Sequence, residues 1–533
     1  MKNLKTVLLP LFALLPLAAG AQHIVDEERY FREATRILAS DEFAGRRPMS
    51  EQEHLTIDYI ISEYGKCGLK PAGPDGGWLQ PVKMISTTTT LRGGSVNVRA
   101  RKGKVVLKDF DDVIAWTYRG TDRIDLKNAE FVFCGHGVCA PEFGWDDYAG
   151  IDVTGKVVIV LAGDPGFFDD SLFRGKNATL YSRQFYKWEE AERHGAAGCL
   201  VVHREDVASY KWATVQNSQS GLQQNLVDEE QNAGLMGFQG WMAGPAAERL
   251  FAACGYSFDE VQESAHRRGF KPFSLGAKAS FGFDVDYSIG QSYNVMGLIE
   301  GTDLKDEYIV YTSHWDHLGI GKPVDGDCIY NGANDSATGI AALFLIANKY
   351  RNNPVKPRRS ILFISVTGEE AGFLGSQYYC EHPVYPLEKT DVNINIDGPG
   401  PFEKTYDILL RAPGVSTAEK WLHFVAETQG REVKPYPVDP AAIYYRCDHL
   451  SFIRHGVPAL FFDKGSDWVD KERHARQPQV DTYHKPNDEY RDDWIVDGAL
   501  ENINVYYAVG MLMACDDEMP QWSPESEFQR SAE

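Results

Sequence analysis

From about Ser292 onward the chain alternates between two textures. Short apolar runs, "SYNVMGLIEG", "EYIVYTSHWD", "RSILFISVTGEE", "VNINIDGPG" and "VPALFFDKG", predict strands. Between them "SATGIAALFLIANKYRNN", "AGFLGSQYYCEH" and "STAEKWLHFVAETQG" place apolar residues at helical spacing, and a last helix is expected from about Asp493 to Met513. Strands alternating with helices in this way predict an α/β fold, a mostly parallel mixed sheet flanked by helices on both faces. Further upstream, "DEERYFREATRILASDEFAGRRP" and "EQEHLTIDYIISEYGKCGLKPAG" predict two amphipathic helices, the second closing at Gly65 or Gly68 ahead of Pro71. From about Leu91 to Phe283 the texture turns β-rich, with Gly and Asp turns and one helical stretch, "SRQFYKWEEAERHGAAGCLVVH", which leads into a strand. The expected organisation is a leader at 1–21, an N-terminal helical part at 22–90, an inserted module at 91–283, the α/β domain at 284–516 and a polar tail at 517–533.

The leader follows from Lys2 and Lys5, the apolar segment Val7 to Ala19 and the small-residue site Ala19-Gly20-Ala21, with cleavage expected before Gln22. That segment is shorter than the ~20 residues of a spanning helix, and no later run reaches that length without charges. The expectation is an exported protein, periplasmic or secreted, without membrane insertion. A formal charge of -22, from 76 acidic and 54 basic residues, argues against nucleic acid or an anionic membrane as the main partner. The nine cysteines are an odd number, so at least one is free or paired between chains. No CxxC and no cluster of Cys and His along the sequence suggests a structural zinc site.

The candidate chemistry lies where strands end. "TSHWDHLGIG" puts His314, Asp316 and His317 after an apolar run, although such groups are costly to bury. "ILFISVTG" is followed by Glu369 and Glu370, and "VNINI" by Asp397. The turn "NGANDSATG" adds Asp335 before a helix, and "DTYHKPNDEY" adds His484. A cap or a solvated side chain would explain any one of these. Their repetition at carboxyl ends of strands, where open α/β sheets form their ligand crevice, points to one centre. Two imidazoles and three carboxylates suit a pair of borderline divalent ions with one carboxylate shared, zinc first among them. Two ions, three carboxylates and a shared hydroxide sum to zero charge.

"SHWDHLG", "NGANDSATG", "TGEEAGFLGS", "NINIDG" and "YHKPNDE" resemble, in order and context, the M28 co-catalytic zinc aminopeptidases. The resemblance implies a di-zinc enzyme that hydrolyses the N-terminal residue from peptides with a free amino terminus. It assigns His314 and Asp397 to one zinc, Glu370 and His484 to the other, and Asp335 to both. It makes Glu369 the general base, acting on a water the ions share, and Asp316 the carboxylate that orients His314. Tyr483 would polarise the scissile carbonyl. "RCDHLSF", with Asp448, His449 and Phe452, matches a stretch that lines the family's pocket, and Tyr445 beside it is a further candidate for substrate binding. Asn334 stands where the family often has aspartate, and "HKPND" replaces the commoner "HTPxD"; neither removes a ligand. Adjacent glutamates on extended backbone would point to opposite sides, letting Glu370 serve metal and Glu369 water. Within the inserted module, "FGWDDYAGIDVTGKVVIVLAGDP" and "AERHGAAGCLVVH" resemble a protease-associated (PA) domain. The alternative on the same scaffold is a single-zinc glutaminyl cyclase, which forms pyroglutamate without hydrolysis.

Overall fold

The computed structural model describes residues 26–528 apart from 209, 440, 477–480, 525 and 527. The expected leader, 1–21, lies outside the described residues. The chain divides into two compact units, one of residues up to 82, 291–436 and from 446, the other of residues 83–290 and 437–445.

The sheet of the first unit runs Ala459–Leu460, Thr390–Asn395, Leu304–His314, Arg359–Val366 and then the last part of Phe273–Ile299. The first four strands are parallel, and Phe273–Ile299 lies antiparallel to Arg359–Val366. Both faces are covered, which is why Arg359–Val366 and Thr390–Asn395 are buried at every position, polar residues such as Asp391 and Asn393 included. Alternate residues sort to opposite faces, as a two-residue period requires. Ile309, Tyr311, Ile361, Phe363, Val392 and Ile394 join one core with the helices Glu27–Leu38, Thr338–Asn352 and Asp497–Cys515. Val310, Leu362 and Ile364 join another, with Tyr379 and Phe452 from the helices Leu374–Glu381 and His449–Arg454.

Three features depart from the sequence reading. "VPALFFDKG" is not one strand: Ala459–Leu460 pairs in the main sheet, whereas Phe462–Lys464 pairs with Asp407–Leu410 in a small second sheet that also holds Glu432–Pro435. A hairpin, Gly319–Val324 with Asp327–Tyr330, leads into the Asp335 turn and has too little apolar alternation to stand out. The N-terminal part, read as helical, carries the helices Glu27–Leu38 and Glu53–Lys66 but ends in a strand, Leu79–Leu91, whose Thr run favours extended backbone.

In the second unit Arg123–Phe133, Val157–Leu161, Gly198–Val202 and Phe238–Met242 form a parallel core, edged by antiparallel Val113–Trp116 and by the first part of Phe273–Ile299. Phe131, Phe133, Ile159 and Leu161 face one apolar cluster, and Val132, Val158 and Val160 another, the second shared with Trp188 and Ala191 of the helix Gln184–Arg193. Its limits differ from the expected 91–283 because Leu79–Leu91 and Phe273–Ile299 run through them without a turn, and because residues 437–445 are remote in sequence.

Candidate metal centre

The parallel register decides where the ligands meet. His314 is opposite Val366, and Thr312 opposite Asn395, so the chain segments following these strands emerge together at one edge. His314 is the last residue of its strand; Glu369 and Glu370 follow Val366 by one short bend, and Asp397 follows Asn395 by two residues. Asp335 sits in the turn before Thr338–Asn352, reached through Gly332 in the left-handed region, and its peptide to Ser336 is cis. A Cβ on Gly332 would meet the carbonyl of Asp335 at 2.3 Å and the ring of His317 at 2.5 Å, so only glycine fits there.

Asp335 divides its two oxygens between two sets of donors. His314 Nε2 lies 3.3 Å from Asp335 Oδ1 and 3.2 Å from Asp397 Oδ1. His484 Nε2 lies 3.5 Å from Asp335 Oδ2 and 3.1 Å from Glu370 Oε2. Charge-assisted hydrogen bonds between nitrogen and oxygen close to ~2.8 Å. Donors around a tetrahedral ion with bonds of 2.0–2.1 Å stand ~3.3 Å apart. The observed spacings follow the second pattern, and the N/O set suits zinc.

His317 was quoted in the sequence but given no role, and the structure brings it to the same place. Its Nδ1 is 2.6 Å from Glu370 Oε1, a hydrogen-bond length, so the ring fixes Glu370 while Oε2 of that carboxylate faces His484. Cys447 Sγ plays the matching part for Asp397, donating to Oδ2 at 2.9 Å while Oδ1 faces His314. Asp316 is fully buried and accepts the backbone N–H groups of Glu369 at 3.1 Å and Glu370 at 3.3 Å. Its carboxylate is 3.9 Å from His314 Nδ1, whereas its main-chain carbonyl is 3.1 Å away, so the carbonyl is what orients that ring. The two glutamates occupy a bend and turn rather than extended backbone, and Asp316 rather than strand alternation sets their directions.

Two further supports were missed. Asp488, inside the quoted "HKPND", is buried and accepts the N–H groups of Asn334 and Asp335, each at 3.1 Å. It therefore holds the turn that carries Asp335. Arg46 is buried, and its guanidinium donates to the carbonyls of Trp315, Leu38, Asn331 and Gly332 at 2.6–2.8 Å. That one side chain ties the loop after His314 to the loop before Asp335; burial lowers its pKa to about 10, against the pull of Asp488, Asp316 and Asp335. Nothing in "FAGRRP" separates Arg46 from a solvated arginine, because its partners are carbonyls brought in by the fold.

Burial dominates the electrostatics of these side chains. It pushes Glu369 well above the usual carboxylate range, helped by Asp397, Glu370 and Asp448 and opposed by His314. Burial likewise lifts Asp316 to about 6 and Asp448 to about 7. For Glu370 it works in the same direction but loses to His484 and His317, which hold the group at about 2. Burial also opposes charge on His484, yet Glu370 and Asp335 beside it raise the imidazole to about 10.

Among the other candidates, Asp448 accepts Ser376 Oγ at 2.7 Å and belongs to the acidic cluster around Glu369. Phe452 has no exposed surface and packs against Tyr379 in the core, so it lines no pocket; its place on the apolar face of a short helix decides this. His449 is equally buried, its ring against Phe461. Tyr445 is buried against Tyr444 and belongs to residues 437–445, grouped with the second unit. Tyr483 is 56% exposed, stacks on His484 at 3.8 Å and has its hydroxyl 3.5 Å from Arg446 Nη2.

Two outcomes are expected here. Asp488→Ala leaves two buried N–H groups without their acceptor and should weaken zinc binding ~10- to 100-fold in competition with a chelating dye. Unaltered affinity would remove Asp488 from the site. The second concerns pH. His484 has a folded pKa above its ordinary 6.5, so its contribution to ion-free stability is complete below 6.5 and is lost as pH rises through about 10. An ion competes with the same proton, so apparent zinc affinity should climb across that window. Calorimetry in buffers of different ionisation heat would detect the released protons; buffer-independent heats would contradict the expectation.

Residues 294–508 match the family model "Peptidase family M28". Over 202 residues the chain is 27% identical to Aminopeptidase YwaD of Bacillus subtilis (strain 168), which is 37% of this chain and 39% of that relative. Over 137 residues it is 30% identical to Aminopeptidase NAALADL1 of Mus musculus, 24% of this chain and 17% of that protein. The chain thus spans about two fifths or less of the length of these curated relatives. Among solved structures, an aminopeptidase from Aneurinibacillus sp. strain AM-1 shares the fold with a TM-score of 0.51 at 18% identity, over 95% of this chain and 98% of that one. The stretch that carries His314, Asp335, Glu369, Glu370, Asp397 and His484, residues 294–508, is a peptidase family M28 domain.

Proposed function

We propose that the protein is an exported zinc aminopeptidase that holds two ions and hydrolyses the N-terminal residue from peptides with a free amino terminus. The observation that carries the reading is the division of Asp335, one oxygen towards His314 and Asp397 and the other towards His484 and Glu370. Bound zinc supplies a Lewis acid that polarises a carbonyl and makes water a nucleophile near neutral pH.

The chain's own residues do the rest. Glu369 accepts a proton from the attacking water and returns it to the leaving amine, work suited to a carboxyl that burial and acidic neighbours hold above its ordinary range. Asp316 fixes its position through the backbone N–H bonds to Glu369 and Glu370. Tyr483, exposed beside His484, is the group offered to the scissile carbonyl. The acidic groups clustered around Glu369, Asp448 among them, suit the cationic amino terminus of a substrate. The PA-like reading of the inserted unit and export through the segment 1–21 belong to the same proposal. No helix among the described residues is long and apolar enough to cross a membrane.

A panel of aminoacyl-naphthylamides with and without chelator tests the reading, alongside zinc analysis of gently purified protein. Chelator-sensitive hydrolysis with two zincs per chain is expected. Cyclisation of N-terminal glutamine without hydrolysis, with one zinc per chain, would overturn it in favour of a glutaminyl cyclase. Mature protein beginning at Gln22 is expected after export; an intact N-terminus on exported protein would contradict the leader.

A further inference from the structure

A second set of donor atoms lies within the unit of residues 83–290 and 437–445, among residues the peptidase reading leaves unassigned. Cys139 and Asp146 are cross-strand partners in a two-stranded hairpin, Cys139–Ala140 with Trp145–Asp146. Glu190 lies in the helix Gln184–Arg193, and His194 caps its end four residues later, on the same face. Cys139 Sγ is 3.2 Å from Asp146 Oδ1 and 3.6 Å from His194 Nε2, and that nitrogen is 3.1 Å from Glu190 Oε1. Around a tetrahedral zinc ion, sulfur stands ~3.5 Å from nitrogen or oxygen, and nitrogen ~3.3 Å from oxygen. The Cys139–His194 and His194–Glu190 spacings lie close to those edges.

We propose that Cys139, Glu190 and His194, whose donor atoms all lie within 4.8 Å of one another, form a surface site for one borderline divalent cation of the zinc class, with Asp146 beside the thiol. The proposal does not rest on the peptidase reading. A thiol with an imidazole selects such an ion over calcium or magnesium, which two carboxylates alone would suit. The site is built rather than incidental. Glu190 is only 6% exposed, and its other oxygen, Oε2, is taken by the Arg193 guanidinium, which leaves Oε1 directed at His194. The ring of Tyr148 lies flat on the His194 imidazole at 4.2 Å with a 4° tilt, fixing its plane. The backbone N–H of Tyr148 donates to Asp146 Oδ1 at 2.9 Å. His194 and Cys139 remain partly open to solvent, which gives an ion its entry. A thiolate and one carboxylate balance the charge of a divalent ion, and Arg193 engages the Glu190 oxygen that faces away from His194.

The rival is a nucleophilic thiol activated by a histidine and an acid. Such a relay needs the acid on one ring nitrogen and the thiol on the other. Here Glu190 and Cys139 address the same nitrogen, Nε2, which is convergence on a point in space. Burial, together with Asp146 and Glu190, also raises the Cys139 thiol above its ordinary range, the reverse of an activated nucleophile. Chain order hides the site: 50 residues separate Cys139 from Glu190, and only the packing of hairpin on helix joins them.

The test is titration of the full, metal-stripped chain with Co2+ in a non-thiol reductant, followed by near-ultraviolet thiolate-to-cobalt charge transfer. Absorption saturating at one thiolate-bound ion per chain is expected. Cys139→Ser should abolish it while preserving peptidase activity, and His194→Gln should weaken cobalt binding ~10-fold or more. Cys447→Ser should retain the band, which separates this site from the thiol that bonds Asp397. The inference falls if the parent chain gives no thiolate band, if the band survives in Cys139→Ser, or if His194→Gln binds as tightly as the parent.

Discussion

Glu369→Gln is expected to retain its zinc while losing ~10²- to 10⁴-fold in kcat, the range attributed to a positioned general base. The amide is nearly the same shape as the carboxyl, and the backbone N–H of residue 369 still bonds Asp316, so the turn and the ligand Glu370 keep their places. Relief of acidic crowding works in the variant's favour as well, since Asp397, Glu370 and Asp448 all press on the native carboxyl. Loss of turnover with intact metal content therefore isolates proton transfer from assembly of the site. A variant that turns over normally, or that loses its zinc, would refute the role.

Asp335→Ala carries the other large effect, because it removes from both donor sets the side chain they share. Zinc content should fall from two to at most one per chain, and activity should be lost with it. Stability gives a second readout. A ligand that binds only the folded state at a thousand times its dissociation constant adds ~4 kcal/mol, so chelation should lower the melting temperature of the parent markedly. The same chelation should move Asp335→Ala much less. Equal shifts in the two proteins would mean that Asp335 is not common to both ions.

How much of this was legible beforehand differs between the ligands and their supports. His314, Glu370 and Asp397 are costly to bury and stand after apolar runs, and Asp335 and His484 stand in motifs of a known family, so each left a mark in the linear pattern. Parallel strands share one carboxyl edge, and that geometric rule was sufficient to bring three of the five, His314, Glu370 and Asp397, together on paper. Arg46 and Asp488 left no such mark, since their partners are main-chain carbonyls and N–H groups of loops distant in sequence. His317 was visible as a residue but not as a role, which depends on the 2.6 Å approach of Glu370. Phe452 was assigned to a pocket by its neighbours in the sequence and belongs to the core, because the helix His449–Arg454 turns that side inward.

The sequence by itself determined the class of fold, the alternation of strands and helices that carries the centre and the candidate ligand residues, because apolar periodicity and the cost of burying charge are local properties. Only the tertiary structure decided which oxygen of Asp335 faces which imidazole, what fixes Glu369, and that Cys139 meets His194. Those are distances between segments dozens or hundreds of residues apart, set by the packing of the whole core, and no local pattern encodes them.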